Sequence, residues 1–362
     1  TTVAEIRDFF GIKRDLISKR SLKMFGSILQ EKDKTSSNGI GIKLETGIDT
    51  PGYIKPTITF SDFYSHDLDG IDVQFFHAPG ETDDQLFVWI PKYKALMPGD
   101  NIYKAFPNIY TIRGTTYRSF KSWYTSLEKM MALEPEILIP SHGTPINGKE
   151  EILRVLSNYR DAIKYVHDQM MRNLNSGYSL LEAARKIKLP ENLAQDPHLF
   201  ELYGTIEWSA RNLFNGYFGW FDGNPTNLYP FTKEEYGEKL LRLIPEKQLI
   251  SELDKALAEE DSQWALYISD LLIDSGKGNE LILAKKAEAL KNLGDSAYNP
   301  NAVSFYRSTY AELTNSTSDK TFITADSQIE PNLLEQLDVL MFLETMAIRL
   351  DPSKVAGVAD TK

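Results

Sequence analysis

The 362-residue sequence contains no cysteine. This absence excludes disulfide bonds, thiolate metal sites and cysteine nucleophiles, and it fits either a periplasmic or a cytosolic protein. Long apolar runs are also missing, because no stretch reaches the length of about 20 residues that a membrane-spanning helix needs. The sequence therefore predicts no membrane span.

Basic residues are too few and too scattered to form a nucleic-acid-binding surface. The chain has 40 Lys and Arg against 51 Asp and Glu, a net charge of −11. Because phosphate binding requires a basic surface, we expect no nucleic-acid partner. The remaining composition, 42% hydrophobic and 25% charged, is ordinary for a globular protein of two or three domains.

Hydrophobic patterning changes near residue 147. Before it, apolar segments predict strands at 71–76, 86–90 and 136–139. A helical period over 119–132 predicts a helix that crosses over to the last of these strands. The pattern indicates a layered α/β fold.

Long helical periods dominate the chain after residue 147. One helix is predicted from residue 152 to about residue 174, and antiparallel helix pairs are predicted between Pro245 and Asn315. A polar linker is expected at 316–331 and an amphipathic helix at 333–350. The second part of the chain is therefore predicted to be all-helical.

Three polar residues each follow an apolar segment of the α/β part. Glu81 follows Pro79-Gly80, Asp100 follows Pro98-Gly99, and His142 follows the last predicted strand. Carboxylate and imidazole groups are common zinc ligands. Taken singly, each residue has a structural alternative, as an exposed loop acid, a turn aspartate or a structural histidine. Their joint occurrence in this order favours a metal site.

A complete two-metal hydrolase site would also need a His-x-His-x-Asp-His run, which the sequence lacks. The five histidines are His66, His77, His142, His167 and His198, and no two are close enough to form it. The chain therefore has the character of a piece of an enzyme.

Residues 78–146 resemble the second half of metallo-β-lactamase-fold hydrolases, in particular the alkyl sulfatases. Glu81 matches a glutamate that alkyl sulfatases carry where the wider superfamily has histidine. Asp100 departs from the glutamate found in many alkyl sulfatases and agrees with the wider superfamily. The resemblance implies two zinc ions in the complete site, with Glu81, Asp100 and His142 among their ligands.

The segment from Phe106 to Gly114 resembles the alkyl sulfatase segment that faces the sulfate. The resemblance implies that Asn108 and Arg113 bind sulfate, and a planar guanidinium suits two oxyanion oxygens. The alternative is that Arg113 forms an ion pair with a carboxylate such as Glu128. Tyr117 and Arg118 lie where the family places a group that assists the leaving oxygen, and the sequence does not choose between them.

Several aromatic residues are candidates for an alkyl-chain channel, with ordinary core packing as the alternative: Phe106, Tyr110, Trp123 and Phe218. The aromatic segment at 215–228 also resembles a segment of the same family. We expect packing, either against a pocket or between domains, as its role.

The resemblance implies a division of the chain into four regions. These are a metallo-β-lactamase-like domain (its C-terminal part) at 1–146, a helical connection with the aromatic segment at 147–232, a helical dimerisation-type domain at 233–315, and a linker with the start of a sterol-carrier-like domain at 316–362. It further implies that the chain lacks the N-terminal half of the hydrolase domain, so that a sheet edge or face is left uncovered.

The implied function is zinc-dependent hydrolysis of alkyl sulfate esters to an alcohol and inorganic sulfate, with a metal-activated water as nucleophile. The resemblance also implies a homodimer, association with the missing N-terminal segment, and a periplasmic or secreted location. Two alternatives remain open: another hydrolase of the same fold, acting on a lactone, thioester or phosphodiester, and a non-catalytic dimerising module.

Overall fold

The computed structural model describes residues 14–41, 56–317, 339–347 and 350. Most of the linker predicted at 316–331 and part of the helix predicted at 333–350 lie outside the described residues. Of that helix, the segment Val339–Ala347 is helical.

Six strands form one sheet in which the strand order follows the chain. They are β1 (Phe63–Leu68), β2 (Ile71–His77), β3 (Leu86–Ile90), β4 (Ala95–Met97), β5 (Ile137–Leu138) and β6 (Ile146–Asn147). Every neighbouring pair is antiparallel except β4 and β5, which are parallel. Two parallel strands require a crossover connection, and a helix at Phe120–Met131 supplies it as predicted.

The strands predicted at 71–76 and 86–90 are confirmed, but the strand predicted at 136–139 is too long. Only Ile137 and Leu138 pair with both neighbouring strands. Ile139 is 37% exposed, and Pro140 follows it without the N–H that would continue the ladder. The strand therefore ends earlier than its apolar pattern suggested.

Helices make up most of the remaining described chain. In chain order they are α1 (Arg14–Met24), α2 (Phe120–Met131), α3 (Lys149–Asn175), α4 (Leu180–Arg185), α5 (Glu191–Ala194), α6 (Ile206–Phe218), α7 (Lys233–Leu241), α8 (Glu246–Ala258), α9 (Ser262–Leu272), α10 (Glu280–Ser296), α11 (Pro300–Leu313) and α12 (Val339–Ala347). None of the helices described here combines the length and apolarity needed to cross a bilayer.

The described chain has two separate hydrophobic cores. The larger lies between the sheet and helices α2, α3 and α6, and includes Phe87, Trp123 and Tyr159. The smaller lies among helices α8 to α10, around Leu253, Ile268 and Ile282. This division confirms the predicted fold class, an α/β part followed by an all-helical part.

Strand β1 forms one edge of the sheet and is exposed along most of its length. Phe63 is 50% exposed and Leu68 is 58% exposed. Among the described residues, β1 has only β2 as a neighbouring strand. In the described part of the chain, β1 is therefore an exposed edge strand.

A buried carboxylate fastens the segment after α5 to helix α3. The side chain of Asp196 is 1% exposed and accepts hydrogen bonds from Arg154 Nη1 (2.6 Å), Asn158 Nδ2 (2.7 Å) and the His198 backbone N–H (2.9 Å). Burial acts to raise the pKa of Asp196, but these hydrogen bonds outweigh it and hold the pKa below its ordinary value.

Replacing this carboxylate should destabilise the fold in a pH-dependent way. We expect Asp196→Ala to lower the free energy of unfolding at pH 7 by roughly 2–4 kcal/mol, because three donors lose their acceptor. Since the pKa of Asp196 is lowered in the folded state, its contribution is present above the ordinary aspartate pKa and is lost as the pH falls through the folded value. Urea unfolding at pH 7 and below pH 4 measures the difference.

The matched control is Asp168→Asn, on helix α3, to which Asp196 is bound. The carboxylate of Asp168 is 47% exposed and pairs with Lys164, so its loss should cost less than about 1 kcal/mol. An equal cost for both variants, or a cost of Asp196→Ala that does not shrink in acid, would contradict the assignment.

Candidate functional site

The turn that carries Glu81 is shaped by the buried amide of Asn101. Asn101 Nδ2 donates to Ala78 O (2.7 Å), and its Oδ1 accepts from the Glu81 backbone N–H (3.2 Å). A Cβ atom on Gly80 would lie 2.1 Å from Asn101 Oδ1, so only glycine allows this close approach. The indole of Trp123 in turn donates to Asn101 O (3.0 Å). These contacts determine where the backbone of Glu81 lies.

Glu81 and Arg118 form a buried ion pair. Arg118 Nη1 donates to Glu81 Oε1 (2.9 Å), and the two side chains are 5% and 11% exposed for Arg118 and Glu81, respectively. The same nitrogen donates to Asn108 O (2.5 Å). Burial raises the pKa of Glu81, and Asp100 adds to the increase, while Arg118 opposes it. Arg118 thus joins a predicted metal ligand to the predicted sulfate-binding segment.

Asp100 and His142 meet at one edge of the sheet because of the register of the parallel strands. Leu96 in β4 pairs with Leu138 in β5, and each functional residue lies four positions further along its chain. His142 Nδ1 is 2.7 Å from Asp100 Oδ1, and the side chains are 42% and 33% exposed. Gly99 helps the turn with a φ of +60°. The predicted proximity of these two residues is observed.

The three predicted ligands lie in one region, but their side chains are not arranged around a common point as metal ligands would be. Asp100 and His142 both act on the pKa of Glu81, yet the Glu81 carboxylate is bound to Arg118. Among the residues that the structure describes, no group of three or more His, Asp or Glu side chains has the geometry of a metal site. Two carboxylates and an imidazole do fit zinc by ligand chemistry.

The segment after Tyr103 presents a buried and unsatisfied amide. Asn108 is 1% exposed, and its backbone N–H donates to Tyr103 Oη (2.7 Å). Within the described part of the chain, neither Oδ1 nor Nδ2 of Asn108 makes a hydrogen bond of normal geometry. A buried polar group without a partner is rare in folded proteins and often marks a functional position.

Glu128, the example of a carboxylate that could pair with Arg113, pairs with a different arginine. Glu128 pairs with Arg160, at 3.5 Å, rather than with Arg113. Arg113 is partly exposed, and its Nη1 lies 3.5 Å from Gly114 O. The structure thus removes the predicted competing ion pair with Glu128.

The structure separates the two candidates for assisting the leaving group. Arg118 is committed to Glu81 and to the Asn108 carbonyl. Tyr117 instead packs against helix α6, where a Cβ on Gly216 would lie 2.1 Å from its ring, and its ring is 6.3 Å from that of Tyr217. Burial raises the pKa of Tyr117 above its ordinary value. Its hydroxyl is therefore protonated at neutral pH.

Two of the four candidates for an alkyl-chain channel belong to the core. Phe106 and Trp123 are fully buried within the larger hydrophobic cluster. Tyr110 is partly buried, and Phe218 is 51% exposed. Of the original set, Tyr110 and Phe218 alone remain accessible.

The expected packing of the aromatic segment at 215–228 is wrong for its central residue. Residues up to Phe218 complete helix α6, but Trp220 is 71% exposed. Its ring packs against that of its neighbour Phe221, with centroids 5.6 Å apart. The segment therefore presents aromatic surface rather than burying it within the described chain.

Sequence reasoning missed residues that shape the site without belonging to a motif. Asn101 and Tyr103 hold the two turns, and both are buried. Their signal was weak: Asn101 is a polar residue directly after Asp100 and before the apolar Ile102. Only the fold shows which backbone groups these side chains reach.

Comparisons with known proteins show which proteins this chain resembles. Residues 179–316 match the family described as Alkyl sulfatase dimerisation. A linear primary-alkylsulfatase from Pseudomonas sp. is 33% identical over 353 residues, covering 95% of this chain and 66% of that protein. An (R)-specific secondary-alkylsulfatase from Pseudomonas sp. is 28% identical over 312 residues, covering 84% of this chain and 46% of that protein.

The fold also matches a solved structure. A stereoselective inverting sec-alkylsulfatase from Pseudomonas sp. superimposes with a TM-score of 0.85 at 24% identity, covering 94% of this chain and 54% of that one. The described fold is therefore that of an alkylsulfatase. The chain is therefore similar to alkyl sulfatases over 95% of its length. It spans between 46% and 66% of the length of the two curated relatives described above.

Replacing Arg118 should leave the buried Glu81 carboxylate without its partner. We expect Arg118→Met to lower the free energy of unfolding by roughly 3–5 kcal/mol, because Glu81 remains buried without its partner. The double variant Arg118→Met with Glu81→Gln should recover part of this loss, since it buries no unpaired charge. Chemical denaturation followed by circular dichroism measures the free energy of unfolding of the wild type, the single variant and the double variant.

The exposed pair between Lys149 and Glu134 provides the control. These side chains are 42% and 62% exposed, so Lys149→Met should cost less than about 1 kcal/mol. If Arg118→Met were no more costly than Lys149→Met, the ion pair would not stabilise the site.

Proposed function

We propose that this chain provides part of the active site of an alkyl sulfatase, which hydrolyses alkyl sulfate esters to an alcohol and inorganic sulfate. The observation that carries the proposal is the contact between Arg118, Glu81 and the Asn108 carbonyl. It places a predicted metal ligand beside the segment predicted to bind sulfate. The names of the relatives support the same reaction class.

Glu81, Asp100 and His142 would hold zinc. Bound there, the ion would lower the pKa of a water molecule and offset the negative charge that develops on the sulfate oxygens. Three protein donors are fewer than a two-zinc site uses. We infer that the remaining zinc ligands come from residues other than those described. The predicted N-terminal His-x-His-x-Asp-His segment would supply such ligands.

The chain's own residues would bind and orient the sulfate group. The Asn108 amide is buried beside Tyr203, and its Nδ2 would donate to one sulfate oxygen. Arg113 would donate two parallel hydrogen bonds from its planar guanidinium to two sulfate oxygens. The protonated Tyr117 is the better of the two candidates to donate a hydrogen bond to the leaving alcohol oxygen, because Arg118 is held by Glu81.

A homodimer is part of the proposal. The match to the dimerisation family covers the aromatic surface around Trp220, Tyr229 and Phe231, which are 71%, 95% and 58% exposed. Exposed apolar patches of this kind commonly mark protein interfaces. We infer that a second copy covers this surface, and analytical ultracentrifugation of the full-length gene product should show a dimer.

The metal assignment predicts that His142→Ala removes both zinc and activity. In the full-length gene product, we expect bound zinc to fall by at least one ion per chain and turnover of dodecyl sulfate to fall by roughly 100-fold or more. Plasma mass spectrometry and a sulfate-release assay measure the two effects. His66→Ala, on the exposed strand β1, is the matched control and should change neither.

The outcomes also separate the competing functions. Zinc retained in the wild-type protein without turnover of any alkyl sulfate would reject the sulfatase proposal. Turnover of a lactone, thioester or phosphodiester in its place would support a different hydrolase of this fold. Absence of both zinc and hydrolysis would support a non-catalytic dimerising module.

The sulfate assignment predicts a specific cost for Arg113→Lys. We expect kcat/KM for dodecyl sulfate to fall by roughly 10- to 100-fold, because lysine keeps the positive charge but cannot form the bidentate hydrogen bond to sulfate. Arg211→Lys serves as the control, since Arg211 is 49% exposed on α6 and its contact to Glu207 is long, at 3.9 Å. Equal kinetics for the two variants would argue against sulfate binding by Arg113.

A further inference from the structure

We propose that Asn212 is a positioning residue that holds the sulfate-binding loop, defined as residues 106–113, in its binding conformation. The inference rests on the proposed function, because the loop contains Asn108 and Arg113. Asn212 lies in helix α6, within the region that matches the dimerisation family. The helical region would thus act on the site through the loop's backbone.

The central contact is a buried hydrogen bond. Asn212 Nδ2 donates to Ile109 O (3.1 Å), and Asn212 is 8% exposed while Ile109 is fully buried. Ile109 directly follows Asn108, so the bond holds the peptide unit next to the predicted sulfate-binding amide. A buried carbonyl that loses its donor is costly, which makes the contact a strong constraint on the loop.

A second contact from the same region fixes the start of the loop. Phe106 N donates to Phe200 O (2.8 Å), and Gly204 N donates to Phe106 O (3.1 Å). A Cβ on Gly204 would lie 2.0 Å from Pro107 O, so the two backbones are in direct contact. The loop therefore packs against the segment 200–204 without any intervening side chain at that point.

Two asparagines at the N-terminal end of helix α11 bind that segment. Asn299 Nδ2 donates to Glu201 O (2.9 Å) and to Tyr203 O (3.2 Å), and Asn301 Nδ2 donates to Tyr203 O (3.3 Å). Both asparagines are buried. The helical region thus supports the loop through a chain of side-chain to backbone hydrogen bonds.

Two further carbonyls of the loop accept hydrogen bonds from arginine side chains. Arg118 binds Asn108 O, and Arg20 donates to Ile112 O through both Nε (3.1 Å) and Nη2 (2.6 Å). The carbonyls at 106, 108, 109 and 112 are therefore all held. By contrast, the side-chain amide of Asn108 makes no hydrogen bond of normal geometry within the described chain. Fixing the backbone in this way would hold the Asn108 side chain in one position for a ligand.

The test uses the full-length gene product with Asn212→Asp and Asn212→Ala. Aspartate keeps the shape of asparagine but, when ionised, cannot donate to Ile109 O. Ser209→Ala is the matched control, because Ser209 is fully buried on the same helix and its hydroxyl makes no hydrogen bond within the described chain. Melting temperatures confirm that each variant is folded before the comparison.

The variants are compared by hydrogen–deuterium exchange of the loop and by their sulfate binding and kinetics. We expect hydrogen–deuterium exchange of the peptide covering 106–113 to become faster in both Asn212 variants and to stay unchanged in Ser209→Ala. We also expect KM for dodecyl sulfate and Kd for inorganic sulfate to rise by about tenfold, with kcat within about twofold of wild type, because sulfate binding is weakened in ground and transition states alike.

Each outcome decides one question. Exchange at 106–113 that is unchanged, or that rises equally across the whole chain, would overturn the positioning role of Asn212. Faster exchange limited to this peptide, in a protein whose wild type neither binds sulfate nor hydrolyses sulfate esters, would support the positioning role and reject the proposed function. A loss of kcat without a rise in KM would overturn the role of Asn212 in sulfate binding.

Discussion

One nitrogen of Arg118 connects the two parts of the candidate site. It donates to the Glu81 carboxylate and to the Asn108 carbonyl, so the turn after β2 and the loop at residues 106–113 share a single anchor. Burying a guanidinium and a carboxylate is costly, and the pair is stable only because each charge faces the other and the guanidinium finds a further acceptor. The positions of Glu81 and Asn108 are therefore interdependent.

The other contacts of the site extend outward from this anchor. Parallel pairing of β4 with β5 brings Asp100 and His142 to the same sheet edge, and the Asn101 amide ties the turn of Glu81 to the residue after Asp100. On the opposite side, Asn212 holds Ile109 O from the helical region. The region that matches the dimerisation family thus also supports the geometry of the candidate site.

Local patterns predicted much of this structure. The alternation at 71–76, the apolar run at 86–90 and the helical period at 119–132 depend on neighbouring residues alone, and each element forms nearly where expected. The order of Glu81, Asp100 and His142 was informative for the same reason, since each follows an apolar strand. Predictions that depended on burial were less successful: Phe106 and Trp123 lie in the core, while Trp220 is exposed.

The sequence by itself determined the fold class, the positions of the main strands and the residue types that could bind a metal and a sulfate group. The tertiary structure alone decided how these residues are connected. It showed that Arg118 pairs with Glu81, that Glu128 pairs with Arg160 rather than Arg113, and that Asn212 reaches Ile109 across 103 positions of sequence. Such contacts depend on how distant elements pack, and one residue's neighbours along the chain carry little information about that packing.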